Sequence, residues 1–202
     1  MLNIRSNETN NLNPLVKWTG GKRKEISEFL HLIPKDCSTY VEPFAGGAAL
    51  FFYLNNILTK NVINDIHPDL INFYRQVQKG NSNQIKQMMD LYSPGEKDYY
   101  QVRGHGGPSV KNPKYKKGLK NVKKMVKKYP NINYFSPKDK VEEAFKFYYL
   151  RKTCYRGMLR YNAKGDFNIP WGKYKTLNYT ELTNKSHKKL FSKTKIENKE
   201  AI

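Results

Sequence analysis

The ten residues VEPFAGGAAL, from Val41 to Leu50, restrict the fold of this chain more than any other stretch. Tyr40 to Pro43 reads as a short buried strand that runs into a glycine turn, Phe44-Ala45-Gly46-Gly47-Ala48. A helix is predicted from Ala48 to Leu58, with Leu50, Phe51, Leu54 and Leu58 on one stripe. Asn61 to Ile66 is a second strand, and Pro68 with Asp69 opens another helix through about Val77. Strand, turn, helix, strand, helix is the opening of an α/β sheet. Glycine has no β-carbon, so a turn of this kind lets the backbone approach a ligand closely. Asp65 ends the next strand, where an acid can accept hydrogen bonds from ribose hydroxyls. Its plainer role is a helix cap, which Asp69 fits equally well.

Around this nucleus the chain changes character several times. Residues 1–13 are Asn-rich and without periodicity, and read as a flexible arm. Ile26, Phe29, Leu30 and Ile33 recur at helical spacing until Pro34. After Gly80, Ser93-Pro94-Gly95 and the stretch from Gly104 to Pro108 are loop signals. From Lys111 to Lys140 there are eleven lysines and a single acid, Asp139, either a solvated face or a DNA-facing extension. A basic helix from Gly118 to Tyr129 would have only a thin apolar edge. Val141, Ala144, Phe145 and Tyr148 restore a helical stripe. The expected organisation is an arm (1–13), the N-terminal part of a ligand-binding α/β domain (14–80), a separate lobe (81–180) containing the Lys-rich insert 111–140, and a return toward the sheet (181–202).

Charge narrows the partners. The net charge is +20, from 37 Lys and Arg against 17 Asp and Glu, and a surface so basic favours a polyanion whose phosphates release counterions on binding. A lysine-rich proteome would produce the same bias. Cys37 and Cys154 lie in no Cys-x-x-Cys or Cys/His cluster, so no metal site is expected and a buried structural thiol is the default for each. No apolar run approaches the length of a membrane span, and the N-terminus lacks a signal-peptide core, so a cytoplasmic protein is expected.

Two further blocks carry chemistry. Lys17-Trp18-Thr19-Gly20-Gly21-Lys22 precedes the first strand. The segment from Tyr149 to Tyr174 mixes Arg151, Lys152, Arg156, Arg160, Lys164 and Lys173 with Tyr155, Tyr161, Phe167, Trp171 and Tyr174. Basic groups hold phosphates or read guanine edges, and aromatics stack on exposed bases. A basic, aromatic surface hairpin with no ligand has the same composition.

Taken together and in this order, the blocks resemble the Dam-type (D12 class) adenine-specific DNA methyltransferases, over most of residues 14 to 197. The resemblance implies a Rossmann-like S-adenosylmethionine-dependent methyltransferase fold with an inserted helical and hairpin DNA-recognition lobe. By that likeness Trp18 packs along the methionine or adenosine moiety, Lys22 approaches its carboxylate, Asp65 holds the ribose, and Glu42, Phe44, Gly46 and Ala48 line the pocket. Double-stranded DNA is the implied partner. Arg160-Tyr161-Asn162, Gly165, Phe167-Asn168, Pro170, Gly172 and Tyr174 are similar to the family's recognition hairpin. Tyr155, Arg156, Met158, Arg160, Asn162 and Lys173 are the expected DNA contacts. Arg160 is the first choice for reading a base, or else for a phosphate contact or a bond within the hairpin. Met158 is either a wedge between base pairs or core packing. Relatives that recognise GATC often have Asn-Gly where this chain has Arg156-Gly157, so a different target sequence is expected.

The implied activity is methyl transfer to adenine N6, as in restriction-modification or Dam-like methylation. The family performs it with a later Asp-Pro-Pro-Tyr block. The nearest imitation among the ten prolines is Asn112-Pro113-Lys114-Tyr115, which lies on the wrong side of the hairpin. The expectation is therefore a fold incomplete at its C-terminus, with no catalytic residue in this chain. It would be one half of a split enzyme, needing a separate catalytic chain, or a non-catalytic DNA-binding remnant. The Asn, Lys and Tyr bias fits an AT-rich, viral or phage genome.

Overall fold

The computed structural model describes residues 12–34, 37, 39–55, 59–104, 140–161 and 167–200. The basic helix expected over 118–129, nearly all of the Lys-rich insert, Asn112–Tyr115, Leu58 and Asn162 lie outside the described residues. The chain forms two compact units, one from residues 1–80 and 180–202, the other from residues 81–179.

In the first unit three parallel strands lie in the order β1 (Thr39–Glu42), β2 (Lys60–Asn64), β3 (Thr194–Glu197). Tyr40 is in register with Asn61, and Asn61 with Thr194. The α/β reading holds at the level of a mixed fold with a parallel sheet. Before β1 the expected helix is broken into a 3-10 turn (Arg23–Glu25), a single α-turn, α1 (Ile26–Phe29), and a second 3-10 turn (Leu30–Leu32). Only Ile26 of this stretch is buried. Leu32 is 70% exposed, so the apolar spacing there does not mark a continuous core-facing helix.

Helix α2 (Ala49–Tyr53) is shorter than the periodicity predicts. It starts only after Ala48, which is held in the left-handed region at φ 52°. Phe51, Phe52 and Leu54 enter the core, while Leu50 lies on the pocket side rather than on the core stripe. Helix α3 (Pro68–Lys79) buries Leu70, Ile71, Phe73, Tyr74 and Val77, one apolar face at helical spacing. Its cap is neither Asp65 nor Asp69 but His67, whose Nδ1 accepts the Leu70 N–H at 3.3 Å. The last helix among the described residues, α7 (Lys185–Ser192), directly precedes β3. It places His187, Leu190 and Phe191 against α3.

The core of this unit is aromatic: the Phe51, Phe52, Tyr74 and Phe191 rings meet at centroid distances of 5.2 to 6.3 Å. Such pairs add about 0.5–1.5 kcal/mol each beyond area burial. Leu12 and Asn13, the end of the expected arm, are packed here: Leu12 is buried and the Asn13 carbonyl lies 2.8 Å from His187 Nε2.

The second unit is built on helices α4 (Ser82–Met89), α5 (Glu96–Arg103) and α6 (Lys140–Thr153). Helix α6 packs on both α4 and α5 and is buried on most of its circumference. Arg151 is 1% exposed within it, so this arginine is part of the core and not of a phosphate-facing surface. Cys154 is buried as expected, whereas Cys37 is half-buried and donates its thiol hydrogen to the Thr39 carbonyl at 3.0 Å.

Candidate functional site: a ligand pocket and a basic hairpin

Where β1 ends, the chain turns over the carboxyl edge of the sheet, and hydrogen bonds to a few atoms hold the turn. The Ala45 N–H bonds to the Asn64 carbonyl at 2.8 Å. The Gly46 N–H donates to Asp65 Oδ2 at 2.8 Å, and the buried Tyr74 hydroxyl donates to the Gly46 carbonyl at 2.7 Å. Asp65 Oδ1 accepts the His67 N–H at 2.9 Å. One carboxylate thus ties the glycine turn to the start of α3. Asn64 joins the three strand ends: its side chain donates to the Pro43 and Lys199 carbonyls and accepts the Lys199 N–H.

The glycines have a second reason to be glycines. A β-carbon on Gly46 would stand 2.6 Å from Trp18 Cδ1, and one on Gly47 would stand 3.0 Å from Trp18 Cβ. Gly46 also has φ +47°, a conformation L side chains rarely adopt. The space above the turn is therefore shared with an indole from the Lys17–Lys22 block. That indole meets His67 edge-on at 5.9 Å.

The result is a pocket of about 350 Å³, within the size range of small-molecule sites. All seven residues for which the sequence resemblance implies cofactor contact line it: Trp18, Lys22, Glu42, Phe44, Gly46, Ala48 and Asp65. Phe44 is 78% exposed at its rim. Lys22 pairs with Glu25 at 3.0 Å on the open side. Sequence reasoning missed Thr19, Phe29 and Leu50 in the lining, and Tyr74 and His67 as its supports. The place of Leu50 two residues past the turn was the available signal for that residue.

Glu42 is the electrostatic centre of the pocket. Its Oε2 is buried with no hydrogen-bond partner among the described residues. Burial, opposed by a hydrogen bond from Tyr40 and reinforced by the Asp65 charge, pushes its carboxyl up to about 7. Burial and the Glu42 charge push the Tyr40 phenol far above its ordinary range. A carboxylate in this state gains from a cationic or donor group placed beside it. Among the described residues no group of His, Cys, Asp and Glu is arranged to hold a metal ion.

The second unit carries the basic hairpin. Isolated antiparallel bridges join Cys154 to Trp171 and Tyr161 to Phe167. Trp171 Nε1 donates to the Pro94 carbonyl at 2.7 Å, and Arg103 donates to the carbonyls of Phe167 and Ile169. Gly172 is required by close approach, since a β-carbon there would lie 2.7 Å from the Cys154 carbonyl oxygen. Tyr155, Met158 and Tyr161 are exposed at 44%, 39% and 38%, which excludes core packing for Met158. The Arg156 guanidinium stacks on the Tyr155 ring at 5.2 Å, with the Arg156 backbone at φ 51°. Arg160 donates from Nε to Asn168 Oδ1 at 2.8 Å and from Nη2 to the Asn168 carbonyl at 3.2 Å, so part of its fork braces the hairpin. Lys173 is exposed at a left-handed backbone position.

A family model of the D12 class N6 adenine-specific DNA methyltransferases matches residues 18–201. The chain belongs to this family. Type II methyltransferase M.CviBI of Paramecium bursaria Chlorella virus NC1A is 39% identical over 183 residues, covering 91% of this chain and 59% of that protein. Type II methyltransferase M.MjaIII of Methanocaldococcus jannaschii is 32% identical over 191 residues, covering 91% of this chain and 60% of that protein. The DNA adenine methylase of Haemophilus influenzae is 27% identical over 171 residues, covering 83% and 50%. The chain thus spans between half and three fifths of the length of these D12-class relatives. No helix among the described residues is long and apolar enough to cross a membrane.

Proposed function

We propose that this D12-class chain binds S-adenosylmethionine in the pocket between Trp18 and Asp65 and double-stranded DNA through the 154–174 hairpin, within an enzyme that methylates adenine at N6. The observation that carries the reading is the convergence of three separate stretches, residues 18–22, residues 42–48 and Asp65, on one pocket at the carboxyl end of a parallel sheet. Ligands of open α/β sheets bind at that end.

The residues suit the ligand's chemistry. Trp18 offers an aromatic face, Asp65 an acid at the ribose position, and Glu42 an open carboxylate for the cationic amino-acid end. When bound, S-adenosylmethionine supplies a methyl group activated by its sulfonium. The chain's own contribution is to bind and orient, which is the larger part of the work for a transfer between two held reactants. The hairpin offers exposed Tyr155, Met158 and Tyr161 for contact with bases and Arg156, Arg160 and Lys173 for phosphates or base edges. The base must leave the stack to be methylated.

The same proposal includes a Rossmann-like fold, the second unit as an inserted recognition lobe, and a catalytic block supplied from outside these 202 residues. Strand β1 supports the last point: it pairs only with β2 among the described residues, and Val41 on it is 58% exposed. An open edge of this kind accepts a further strand.

Two measurements on the purified chain test the proposal. Calorimetric titration with S-adenosylmethionine is expected to show binding that Asp65→Ala abolishes. Incorporation of labelled methyl into unmodified duplex is expected only when a chain carrying an Asp-Pro-Pro-Tyr block is added. Absence of cofactor binding by folded protein would overturn the pocket assignment. Incorporation by this chain alone would overturn the external block.

A further inference from the structure

Helix α7 is two-faced. His187, Leu190 and Phe191 point inward, and Lys185, Lys188 and Lys189 are exposed on the other side, followed by exposed Lys193 at the C-cap. The positions i, i+3, i+4 and i+8 fall on one arc of a helix. Ser186 and Ser192 are the other exposed positions, and the helix contains no acid.

A lysine-rich composition alone does not produce this face. Three helical lysines elsewhere pair with an acid about one turn away: Lys86 with Asp90 at the end of α4, and Lys140 with Glu143 and Lys146 with Glu142 on α6. On α7 no ion pair to Lys185, Lys188, Lys189 or Lys193 is formed among the described residues. The neighbouring Glu197 is taken by Lys195 and Lys199. Like charges at i and i+4 repel, so Lys185, Lys189 and Lys193 work against the helix that carries them. Lys188 has a local purpose: its ammonium lies against Gly80 at the C-terminus of α3, where it complements the negative end of the helix dipole, and Lys189 and Lys193 stand at the negative end of α7 itself. The exposed Lys79 is next to the Gly80 cap. Lys185, at the positive end of α7, has no such role, and the face as a whole carries four exposed lysines with no ion pair among the described residues.

We infer that the outward face of α7 is a second contact surface for nucleic-acid phosphates, carried by the first unit and distinct from the 154–174 hairpin. The inference rests on DNA being the partner proposed above. Three lysines recur at about 6 Å along the helix, from the ~1.5 Å rise per residue, against a backbone with one phosphate per about 3.4 Å per strand. The surface holds without reading sequence, because it presents flexible ammonium groups and no fork or aromatic for a base edge.

The experiment measures binding of a short labelled duplex to the full chain between about 50 and 200 mM salt. It compares wild type, Lys185→Gln/Lys189→Gln/Lys193→Gln, the corresponding triple Arg variant, and Arg156→Ala, each checked for a thermal melt no lower than that of wild type. The Gln triple is expected to lose about tenfold in affinity at ~100 mM salt and to flatten the salt slope by about two to three, at ~0.9 per phosphate. The Arg triple should retain both. A Gln triple with wild-type affinity and slope overturns the inference, and a weakened Arg156→Ala in the same series shows that the hairpin reading still stands. Loss of binding in the Arg triple also overturns it, because the claim is about charge. Displacement of the duplex from wild type by polyglutamate as effectively as by unlabelled duplex would assign the face to an acidic protein and overturn it too. No duplex binding by wild type would remove the inference together with the reading it rests on.

Discussion

The indole of Trp18 occupies the place where a β-carbon on Gly46 would stand, 2.6 Å from the nearest ring atom. Gly46→Ala therefore meets a clash and a backbone strain at once, together about 1–3 kcal/mol. Trp18→Ala should relieve the clash and leave the strain. Chemical unfolding of the two single variants and the double variant is expected to show a coupling of roughly 1 kcal/mol. Strict additivity would mean that the two residues do not share the space. Trp18 is one of two tryptophans, so ligand entry beside it should also shift the fluorescence of a Trp171→Phe background.

Asp65 holds two backbone N–H groups with two different oxygens. Asp65→Ala leaves the Gly46 N–H buried without its acceptor, a cost of about 1–3 kcal/mol. Asp65→Asn keeps an acceptor and should lose about half of that. A melt in which both variants match wild type would show that the turn is held without this carboxylate.

Glu42 predicts a pH-dependent pocket. Its carboxyl stands at about 7, against an ordinary value of 4.5. The folded state thus prefers the protonated form. Its contribution to stability is complete below pH 4.5 and declines as pH rises through about 7. A cationic ligand prefers the ionised form, so affinity should move the other way, rising about tenfold from pH 6 to 7 and above, where ionisation is no longer limiting. S-adenosylmethionine should show this rise and Glu42→Gln should not. 5′-Methylthioadenosine, which lacks the amino-acid ammonium, should bind with little pH dependence in wild type. A rise of equal size in Glu42→Gln would show that Glu42 is not its source.

His187 acts in the opposite window. Its Nε2 donates to the Asn13 carbonyl at 2.8 Å, which leaves Nδ1 as the unprotonated nitrogen, 3.9 Å from Glu181. Burial, against the Asn13 bond and the Glu181 charge, lowers its affinity for a proton below that of an ordinary imidazole. Stability should therefore fall as pH drops below about 6.5, where the unfolded chain takes up the proton first. Thermal melts from pH 7 to 5 should show His187→Gln less sensitive to acid than wild type.

On the hairpin, Arg160→Lys tests geometry apart from charge. Lysine cannot reproduce two donors directed at Asn168, so duplex affinity should fall by about 1 kcal/mol, near fivefold. An unchanged affinity would assign Arg160 a purely electrostatic role.

The strands, glycine turn and following acid were legible because each has a local cause, but β1 is not the buried strand its apolar run suggests: its residues alternate between exposed and half-buried, with Val41 58% exposed. The limits of α2 were not legible, since the left-handed backbone at Ala48 comes from how the turn is tied to Asn64 and Asp65. His67 is not an obvious cap because acids, amides and hydroxyls dominate that position, yet here the imidazole Nδ1 accepts the Leu70 N–H. Arg151 was read with its basic neighbours, and only the packing of α6 against two helices shows which side it faces. Trp18 and Gly46 are far apart in sequence, and nothing local to either announces that one fills the space above the other.

The first unit is assembled from two stretches of chain, with the second unit encoded between them. During synthesis β1 and β2 leave the ribosome early and wait for β3 while about 130 residues are made, so the sheet closes over a long loop, at an entropic cost that grows slowly with its length. The second unit has no such delay, because its helices follow one another. Translation therefore favours a schedule in which the lobe folds first and shortens the effective loop, and the join of Asn64 to Lys199 beside the glycine turn is the last part to form. Slowing elongation within residues 81–179 should leave the pocket's ligand affinity intact but lengthen the time during which the nascent β1–β2 pair is open to chaperones and proteases.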